Sequence, residues 1–514
     1  MEYLKPVGVE RHKVSTYNLI TTQEGGVVAL DQMLMGLWQS AHAKSLNQIL
    51  TEFTGKGYPR EEIRVAIACL AEAGLLIRKN YDSPSKVFKS NSCEVSGSEN
   101  IGNMVSIILV SHNSGEWLEA CILSILCQTY HNTEIIVVDN ASQDHCVDSL
   151  ENAFPDIQVI RLLESTNFAH ALNCGIKSAK GSYYLFLNPD VTLEKDAVIQ
   201  LLEVIGANPL CAAAAAKLKL SWAPGFINGL GNFVGAFSWG TDIGLGHLDL
   251  GQFDHWDEIP SACFAAALVP ASVMNSVGLI DEGFFLYYED SEWCYRARLF
   301  GYTIHAAPRA IAFHAFSGKS ALNLYERIPN RKLKQVIYGR LRFISLVFEK
   351  SIMWIVFCNY LIEDIISFVA ALFRGKNEAA RAYWDAWKYY KMALPEIKER
   401  RRTIQERRRL SDKELLASHR QIPPIHLWNG IPLLTWDIVQ NDYLPWLSTF
   451  QANLLPELSE NNDPTNIRRN RDIQQNPSFF SPTRLFNIYR FEGPKALIFR
   501  IARFIQWKMM RISP

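Results

Sequence analysis

The sequence predicts an α/β protein: a central, mostly parallel sheet, with a small winged-helix domain before it and an α-helical C-terminal region after it. Three observations support this. Short apolar runs are separated by segments long enough for a helix, and the runs barely alternate with polar residues, as in strands buried on both faces. The chain has 514 residues, of which 48% are hydrophobic, so it can hold several packed domains. The four apolar runs span residues 105–110, 134–139, 157–163 and 183–187.

The first unit, residues 1–81, has the pattern of a winged helix-turn-helix domain. Its helical patterns span residues 30–40, 45–54 and 61–73, and a short apolar strand follows at 75–77. A DNA-binding domain of this type needs surplus positive charge, but residues 1–85 contain nine Lys or Arg and nine Asp or Glu. The whole chain is balanced as well, with 52 residues of each sign. No nucleic-acid partner is therefore predicted.

Cysteine usage and the N-terminus bear on the cellular compartment. The ten Cys are scattered singly without a CxxC pair, which argues against a zinc ribbon or a secreted disulfide scaffold. The first 13 residues lack the apolar stretch of a signal peptide. We therefore expect the bulk of the chain in the reducing environment of the cytoplasm.

Polar residues follow the predicted strands at the points where the strands end. In an open sheet the carboxyl ends of parallel strands form the ligand-binding edge, so these side chains should meet there. The chain has neither a GxGxxG nor a GxxxxGK[ST] loop to bind phosphate, which predicts a divalent cation instead, Mn²⁺ or Mg²⁺. An Asx turn or a helix cap is the alternative role for each residue alone. The residues are Ser111 and Asn113, Asp139 and Asn140, and Asn188 and Asp190.

A later aromatic run leads into paired carboxylates. The string FFLYYEDSEWCYRAR should place Glu289 and Asp290 at the N-terminus of a helix, where the helix dipole favours their ionised form. An ionised carboxylate in this position suits a general base. The alternative is that one of the two only caps the helix.

The stretch 104–320 resembles the family 2 glycosyltransferases of the Rossmann-like GT-A fold, and in particular their rhamnosyltransferase-like branch. The matching strings are VSIILVSHN, EIIVVDNAS, NFAHALNCGI, GSYYLFLNPDV and GLIDEGFFLYYEDSEWCYRARLFGY. The resemblance implies that Asp139 contacts the nucleotide, that Asp190 binds the cation, and that Asp290 is the catalytic base. It also implies that His314 is a further metal or diphosphate contact.

The resemblance further implies the reaction and its partners. A sugar would pass with inversion from a nucleotide-sugar donor, dTDP- or UDP-linked, to a hydroxyl of a lipid-linked or saccharide acceptor, in cell-surface polysaccharide or glycolipid assembly. Two departures limit the comparison: residues 168–173 lack the paired glycines common in this branch, and Asn188 replaces an Asp of many relatives. Further donor contacts are assigned to Ser111, Asn113, Asn140, Asn167, Asn173, Asn188, Glu289 and, as an alternative to simple solvation, Lys217.

The N-terminal unit resembles, over the run 25–30 and Leu75-Leu76, the peptide-chaperone family of pyrroloquinoline quinone biosynthesis. Members of that family bind peptides along a strand edge, which implies a peptide or protein partner here. A plain packing domain is the alternative. Two other functions stay open on the sequence: a peptide glycosyltransferase that recruits its acceptor through this unit, and an inactive scaffold.

Residues 321–375 are predicted to form apolar amphipathic helices at a membrane interface. Residues 351–373 are the most apolar of the chain, yet Asn359, Glu363 and Ser367 form a polar stripe along one helix face. The two central carboxylates make spanning about neutral in free energy, so an interfacial helix is predicted. A helix buried against the enzyme is the alternative.

The rest of the chain is predicted as a helical region, 376–456, followed by a linker and a basic amphipathic tail. Residues 398–409 carry seven basic side chains and the tail has a net charge of +6. Both segments are compatible with an anionic membrane surface, which predicts a peripheral protein on the inner face of the membrane. A solvated helix and a dimerisation helix are the respective alternatives. The predicted linkers are 82–103 and 457–482, and the tail is 483–514.

Overall fold

A computed structural model describes residues 2–6, 8–14, 17–21, 26–79, 103–115, 117–234, 240–316, 330–417, 426–428 and 430–444. The predicted linkers 82–103 and 457–482 lie, except for residue 103, outside the described residues, and so does the basic tail 483–514.

The N-terminal unit contains three helices that lie within a residue or two of the predicted ranges. Asp31 caps the first, and Ser45 with Gln48 forms a capping box on the second. The closing strand begins at Ile77, because Leu75 and Leu76 are buried in the core instead. The elements are β1 (Glu2–Leu4), β2 (Glu10–Val14), β3 (Tyr17–Thr21), β4 (Val27–Leu30), α1 (Gln32–Ser40), β5 (Lys44–Ser45), α2 (Leu46–Gly55), α3 (Arg60–Glu72) and β6 (Ile77–Lys79).

The central domain confirms the α/β prediction. Its four predicted strands are present, and α-helices connect them. The elements are β7 (Val105–Ser111), α4 (Leu118–Leu126), β8 (Thr133–Asp139), α5 (Cys146–Ala153), β9 (Gln158–Arg161), α6 (Phe168–Ser178), β10 (Tyr183–Leu187), β11 (Val191–Leu193), α7 (Ala197–Ala207), β12 (Cys211–Leu220), β13 (Ala223–Gly229), β14 (Asn232–Phe233), β15 (Thr241–Asp242), β16 (Ala266–Pro270), α8 (Ala271–Val277), α9 (Glu289–Leu299) and β17 (Thr303–His314).

The central sheet has the strand order β11-β17-β12-β16-β10-β7-β8-β9, with β13 added beside β12. The strands β10, β7, β8 and β9 are parallel, as the apolar runs predict. The sheet as a whole is mixed, because β16 runs antiparallel to both β10 and β12. Helix α6 packs so close to the sheet that a Cβ at Gly175 would lie 2.4 Å from Ile108 Cγ2, so a glycine is needed there.

The C-terminal region is helical only in part. Helices α10, α11 and α12 pack on the central domain, where the fully buried Arg342 pairs with Asp281 and Glu396. The predicted helical region 376–456 differs from the structure after residue 417, since it contains two strands. The elements are α10 (Asn330–Val347), α11 (Lys350–Phe373), α12 (Asn377–Glu406), α13 (Asp412–Ala417), β18 (Leu427–Trp428), β19 (Ile431–Leu434), α14 (Trp436–Ile438) and a π-helical turn (Val439–Tyr443).

Strand β19 connects the C-terminal region to the N-terminal unit. It pairs in parallel with β4, giving a second sheet of order β18-β19-β4-β3-β2. One carboxylate oxygen of Asp31 accepts from the Leu34 N–H of α1 and the other from the Trp436 N–H after β19. The core of this unit also includes Phe226 and Leu248 of the central domain. The N-terminal unit is therefore packed against β13, which also contributes a residue to the site described next.

Candidate active site

The predicted strand-end residues meet at one edge of the central sheet. Ser111 at the end of β7 lies opposite Asp139 at the end of β8 in parallel register. Asn113 has a positive φ of 54°, and its side chain accepts from the Gln143 N–H, which closes the loop over this edge. Asp139 Oδ1 accepts from the Ser142 N–H at 3.0 Å. The first two strands thus form one compact polar corner.

Three of the predicted donor contacts hold the loops of this corner in place. Asn140 exchanges hydrogen bonds with the Thr166 backbone, and Asn167 Oδ1 caps α6 by accepting from the His170 N–H. The Asn173 amide bonds the backbone of Ile280 through both its nitrogen and its oxygen. These amides are engaged within the protein, and their direct contact with a ligand stays a prediction.

Asp190 and His314 form a pair on the other side of the edge. The backbone N–H of Val191 donates to the Asn188 carbonyl in the turn after β10. This turn, and the pairing of Val191 with His314 across β11 and β17, bring His314 Nε2 within 3.3 Å of Asp190 Oδ1. Burial by itself would raise the pKa of Asp190, but the hydrogen bond and charge of His314 hold that pKa below its ordinary value.

The His314 ring is oriented by Asn228 of β13. Its Nδ1 lies 2.7 Å from Asn228 Oδ1, so with that oxygen as acceptor Nδ1 carries the proton. Nε2 faces the Asp190 carboxylate: with a proton it donates to that carboxylate, and without one it presents a lone pair that a cation can bind. One imidazole nitrogen and one carboxylate oxygen side by side fit Mn²⁺. No group of three or more metal-binding side chains occurs among the described residues, so donor phosphates and water would supply the other ligands of such a cation.

Glu289 and Asp290 begin α9, as the sequence predicts. Asp290 Oδ2 accepts from Asn232 Nδ2 at 2.9 Å, and Oδ1 accepts from the Ser291 N–H. The residues before them, Tyr287 and Tyr288, both have positive φ values, 69° and 72°, which is costly for aromatic residues. This strained turn fixes the direction in which the Asp290 carboxylate enters the site.

The net pKa shift of these carboxylates is opposite to the one expected from the helix dipole alone. Burial raises the pKa of Asp290, and the hydrogen bonds from Ser291 and Asn232 offset only part of that rise. Burial and the neighbouring charge of Asp290 also raise the pKa of Glu289, whose Oε2 is buried without a hydrogen bond from a described residue. Removal from water thus outweighs the dipole. With its pKa raised to about 8, Glu289 is mainly protonated at neutral pH.

Asp242 of β15 is a site residue that the sequence analysis missed. It pairs across β14 and β15 with Asn232, the residue that holds Asp290. Burial, reinforced by the charge of Asp290, raises its pKa to about 7, and the nearby His314 lowers it in part. No described residue donates a hydrogen bond to its half-buried carboxyl. Asp242 is therefore close to both Asp290 and His314.

Lys217 has different partners from those predicted. Its ammonium is buried, 3.0 Å from Asp249 and in contact with Asp254. Burial alone would lower its pKa, but these two carboxylates raise it above its ordinary value. The charge is thus used inside the protein, and a contact with the donor phosphate is not needed to explain this lysine.

Part of the chain is similar in sequence to known glycosyltransferases. Residues 106–232 match the family described as glycosyl transferase family 2. Over 89 residues the chain is 38% identical to an Escherichia coli protein, the UDP-Glc:α-D-GlcNAc-diphosphoundecaprenol β-1,3-glucosyltransferase WfaP, covering 17% of this chain and 35% of that protein. A putative teichuronic acid biosynthesis glycosyltransferase of Bacillus subtilis, TuaG, is 34% identical over 103 residues, covering 20% and 41%.

A solved structure gives a further match. The mannosyltransferase of Pyrobaculum calidifontis, in complex with GDP-Man and Mn²⁺, aligns with 75% of this chain and 97% of its own at 15% identity and a TM-score of 0.37. The chain spans 27% to 44% of the length of the curated relatives named by sequence similarity. Residues 106–232, which include Ser111, Asp139 and Asp190, are thus similar to the glycosyl transferase family 2.

Proposed function

We propose that this protein is an inverting, metal-dependent glycosyltransferase that moves a sugar from a nucleotide-sugar donor to an acceptor hydroxyl. The observation that carries the proposal is that Asp242 lies close both to Asp290 and to His314 of the Asp190–His314 pair, in a chain whose residues 106–232 match the glycosyl transferase family 2. A base and a cation site are thereby available for the two ends of one bond.

Asp290 is the base of this reaction. Its carboxylate accepts the proton of the acceptor hydroxyl while that oxygen forms a bond to the anomeric carbon and the bond from this carbon to the diphosphate breaks. A single displacement of this kind inverts the anomeric centre. The hydrogen bonds from Asn232 and Ser291 keep the carboxylate in place, and its raised pKa makes it a better proton acceptor than an exposed Asp.

Asp190 and His314 would hold the cation, which neutralises the charge that develops on the leaving nucleoside diphosphate. Asp139 lies two strands away, since β7 separates β8 from β10, and two strand spacings are about 10 Å. A diphosphate and its nucleoside can bridge such a distance. We assign Asp139, together with Ser111 and Asn113, to the nucleoside end of the donor.

The first test is hydrolysis of UDP- and dTDP-linked sugars by the purified chain with Mn²⁺, Mg²⁺ or EDTA. We expect slow release of the nucleoside diphosphate with a cation and loss of release in EDTA. Asp190→Asn should raise the Mn²⁺ concentration needed for half-maximal rate by about tenfold or more, since a carboxylate ligand is removed. The control is Asp156→Asn, an exposed carboxylate at the opposite, amino end of β9. Equal rates with Mn²⁺ and EDTA would exclude the cation.

A second test concerns Asp242. Because its pKa is raised to about 7, this carboxyl gains a negative charge beside Asp290 as the pH rises through neutral. Asp242→Asn removes that ionisation, so we expect the change that it causes in the pH profile of kcat/KM near pH 7 to disappear. Asp156→Asn again serves as the control. An unchanged profile near pH 7 in Asp242→Asn would show that Asp242 does not act on the base.

For the acceptor we propose a lipid-linked or saccharide hydroxyl in polysaccharide or glycolipid assembly, at the inner face of the membrane. The name of the Escherichia coli relative describes a diphosphoundecaprenol-linked acceptor, which supports the lipid-linked class. A peptide acceptor bound along β4 is disfavoured, because β19 already occupies that edge and leaves β18 and β2 as the outer strands of the described sheet. Detectable hydrolysis of any nucleotide sugar would exclude the inactive scaffold.

A further inference from the structure

Helix α11 has two very different sides. The side that faces the protein contains Val356, Tyr360, Asp364 and Ala371, all buried. The opposite side carries large apolar side chains that are exposed: Trp354, Ile355, Ile362, Ile365, Ile366, Val369, Leu372 and Phe373. Most are spaced three or four residues apart, so they form one continuous stripe, here called the apolar stripe. A soluble monomer rarely exposes such a surface without a partner.

The charges around the apolar stripe indicate which partner it fits. Exposed basic residues lie at both ends of the helix, Lys350 at its start and Arg374 and Lys376 just after it. Its two acidic residues, Glu363 and Asp364, both pair with Arg340 of α10. The outer surface thus combines apolar side chains with positive ends. An anionic bilayer surface complements both features, whereas a second copy of the same surface would bring like charges together.

The same contacts argue against a membrane-spanning orientation. By its length of 24 residues and its apolar composition, α11 is the one described helix able to cross a membrane. However, Asp364 also accepts from Trp387 Nε1 of α12, and the guanidinium of Arg340 lies 4.0 Å from the centre of the Tyr360 ring. One side of α11 is therefore fixed to α10 and α12 by polar and ring contacts. Only its other side is available to lipid.

We propose that the apolar stripe lies in the plane of an anionic membrane surface and brings the site to a lipid-linked acceptor. The second part rests on the proposed glycosyl transfer. The turn that precedes the base lies close to Arg340 of α10 and Tyr360 of α11. Burial raises the pKa of Tyr288 and the charge of Arg340 lowers it in part, while burial together with Tyr288 raises the pKa of Tyr360. A Cβ at Gly339 of α10 would lie 3.0 Å from Tyr288 Cδ2. One layer of helix thus separates the membrane surface from the strained turn that positions Asp290.

The test is co-sedimentation of the full chain with vesicles of phosphatidylcholine, with and without phosphatidylglycerol. We expect binding that increases with the anionic lipid. The double variant Ile362→Glu, Ile366→Glu should reduce the bound fraction at least about tenfold, because two carboxylates then face the interface. The matched control is Leu126→Glu, Leu210→Glu: these side chains are 51% and 57% exposed, against 59% and 64% for the two isoleucines. The control should bind as the wild type does.

Two further measurements separate the possible failures. Asp290→Asn should bind vesicles normally although it is inactive, and the Ile362, Ile366 double variant should still hydrolyse the donor in the absence of lipid. Absence of vesicle binding by the wild-type chain, or equal binding by the double variant, would overturn the proposal. The proposal would also be overturned if sedimentation velocity shows that the wild type is a dimer and the double variant a monomer, and neither protein binds vesicles.

Discussion

Replacing Asp290 by Asn is expected to lower the rate of sugar transfer by about 10² to 10⁴, the usual contribution of a general base. The amide keeps the shape of the side chain but cannot accept the proton of the acceptor hydroxyl. Donor binding should persist, because the predicted nucleoside and cation contacts lie on β7, β8 and the turn after β10. The measurements are single-turnover transfer and donor binding by calorimetry in the presence of Mn²⁺.

The neighbouring carboxyl provides the matched control. Glu289 is buried and protonated at neutral pH, so Glu289→Gln replaces one neutral group by another of the same size. We expect this variant to lose less than about tenfold in rate, far below the general-base range. Near-normal transfer by Asp290→Asn, or a large loss of rate in Glu289→Gln alone, would show that Asp290 is not the base.

The parts of the fold that local pattern determines are those that the sequence predicted. The runs at β7, β8 and β10 are buried on both faces and therefore read as continuous apolar segments. The three N-terminal helices have amphipathic faces and caps. Strand β19 could not be found in this way, because its four buried residues gain their hydrogen bonds from β4, about 400 residues earlier in the chain.

The site was predicted in part for the same reason. Asp139, Asp190 and Asp290 follow recognisable strands or begin a helix, so their positions can be read along the chain. Asn228, Asn232 and Asp242 lie in a glycine-rich stretch whose strands β14 and β15 have two residues each. Such strands have no periodicity to detect. The only available signal was the recurrence of Asn and Asp among glycines, which is equally typical of turns.

The electrostatic prediction at α9 failed because it considered one helix by itself. A helix terminus contributes a partial charge that favours ionised carboxylates, and this effect is modest. The sequence does not reveal that the tertiary structure covers Glu289 and Asp290 with α10 and the β14–β15 hairpin. Burial depends on contacts distant in the chain, and it can shift a pKa by several units.

The largest effect on stability is expected from Arg340→Met. Arg340 is fully buried and holds Asp364, which is 2% exposed, so the variant leaves a buried carboxyl without its cationic partner. Breaking such a pair on one side typically costs about 3–5 kcal/mol. Because Arg340 also adjoins Tyr288, we expect transfer activity to fall together with stability. Urea unfolding followed by tryptophan fluorescence measures the change.

The companion variants distinguish a lost ion pair from lost packing. Arg340→Met combined with Asp364→Leu removes both charges and should recover most of the stability, since two apolar side chains replace the pair. Arg402→Met breaks the exposed pair with Glu399 and should cost less than about 1 kcal/mol. If the double variant is no more stable than Arg340→Met alone, the role of Arg340 is packing rather than charge.

The pH dependence of the single variant gives an independent check. Burial raises the pKa of Asp364 even with Arg340 present, and removing the guanidinium should raise it further. A carboxyl with a raised pKa in the folded state loses its proton first in the unfolded chain, so stability falls as the pH rises through the interval between the two pKa values. Arg340→Met should therefore recover stability, relative to the wild type, as the pH is lowered from neutral. A constant difference between the two proteins from neutral to acidic pH would mean that Asp364 is not the group left unpaired.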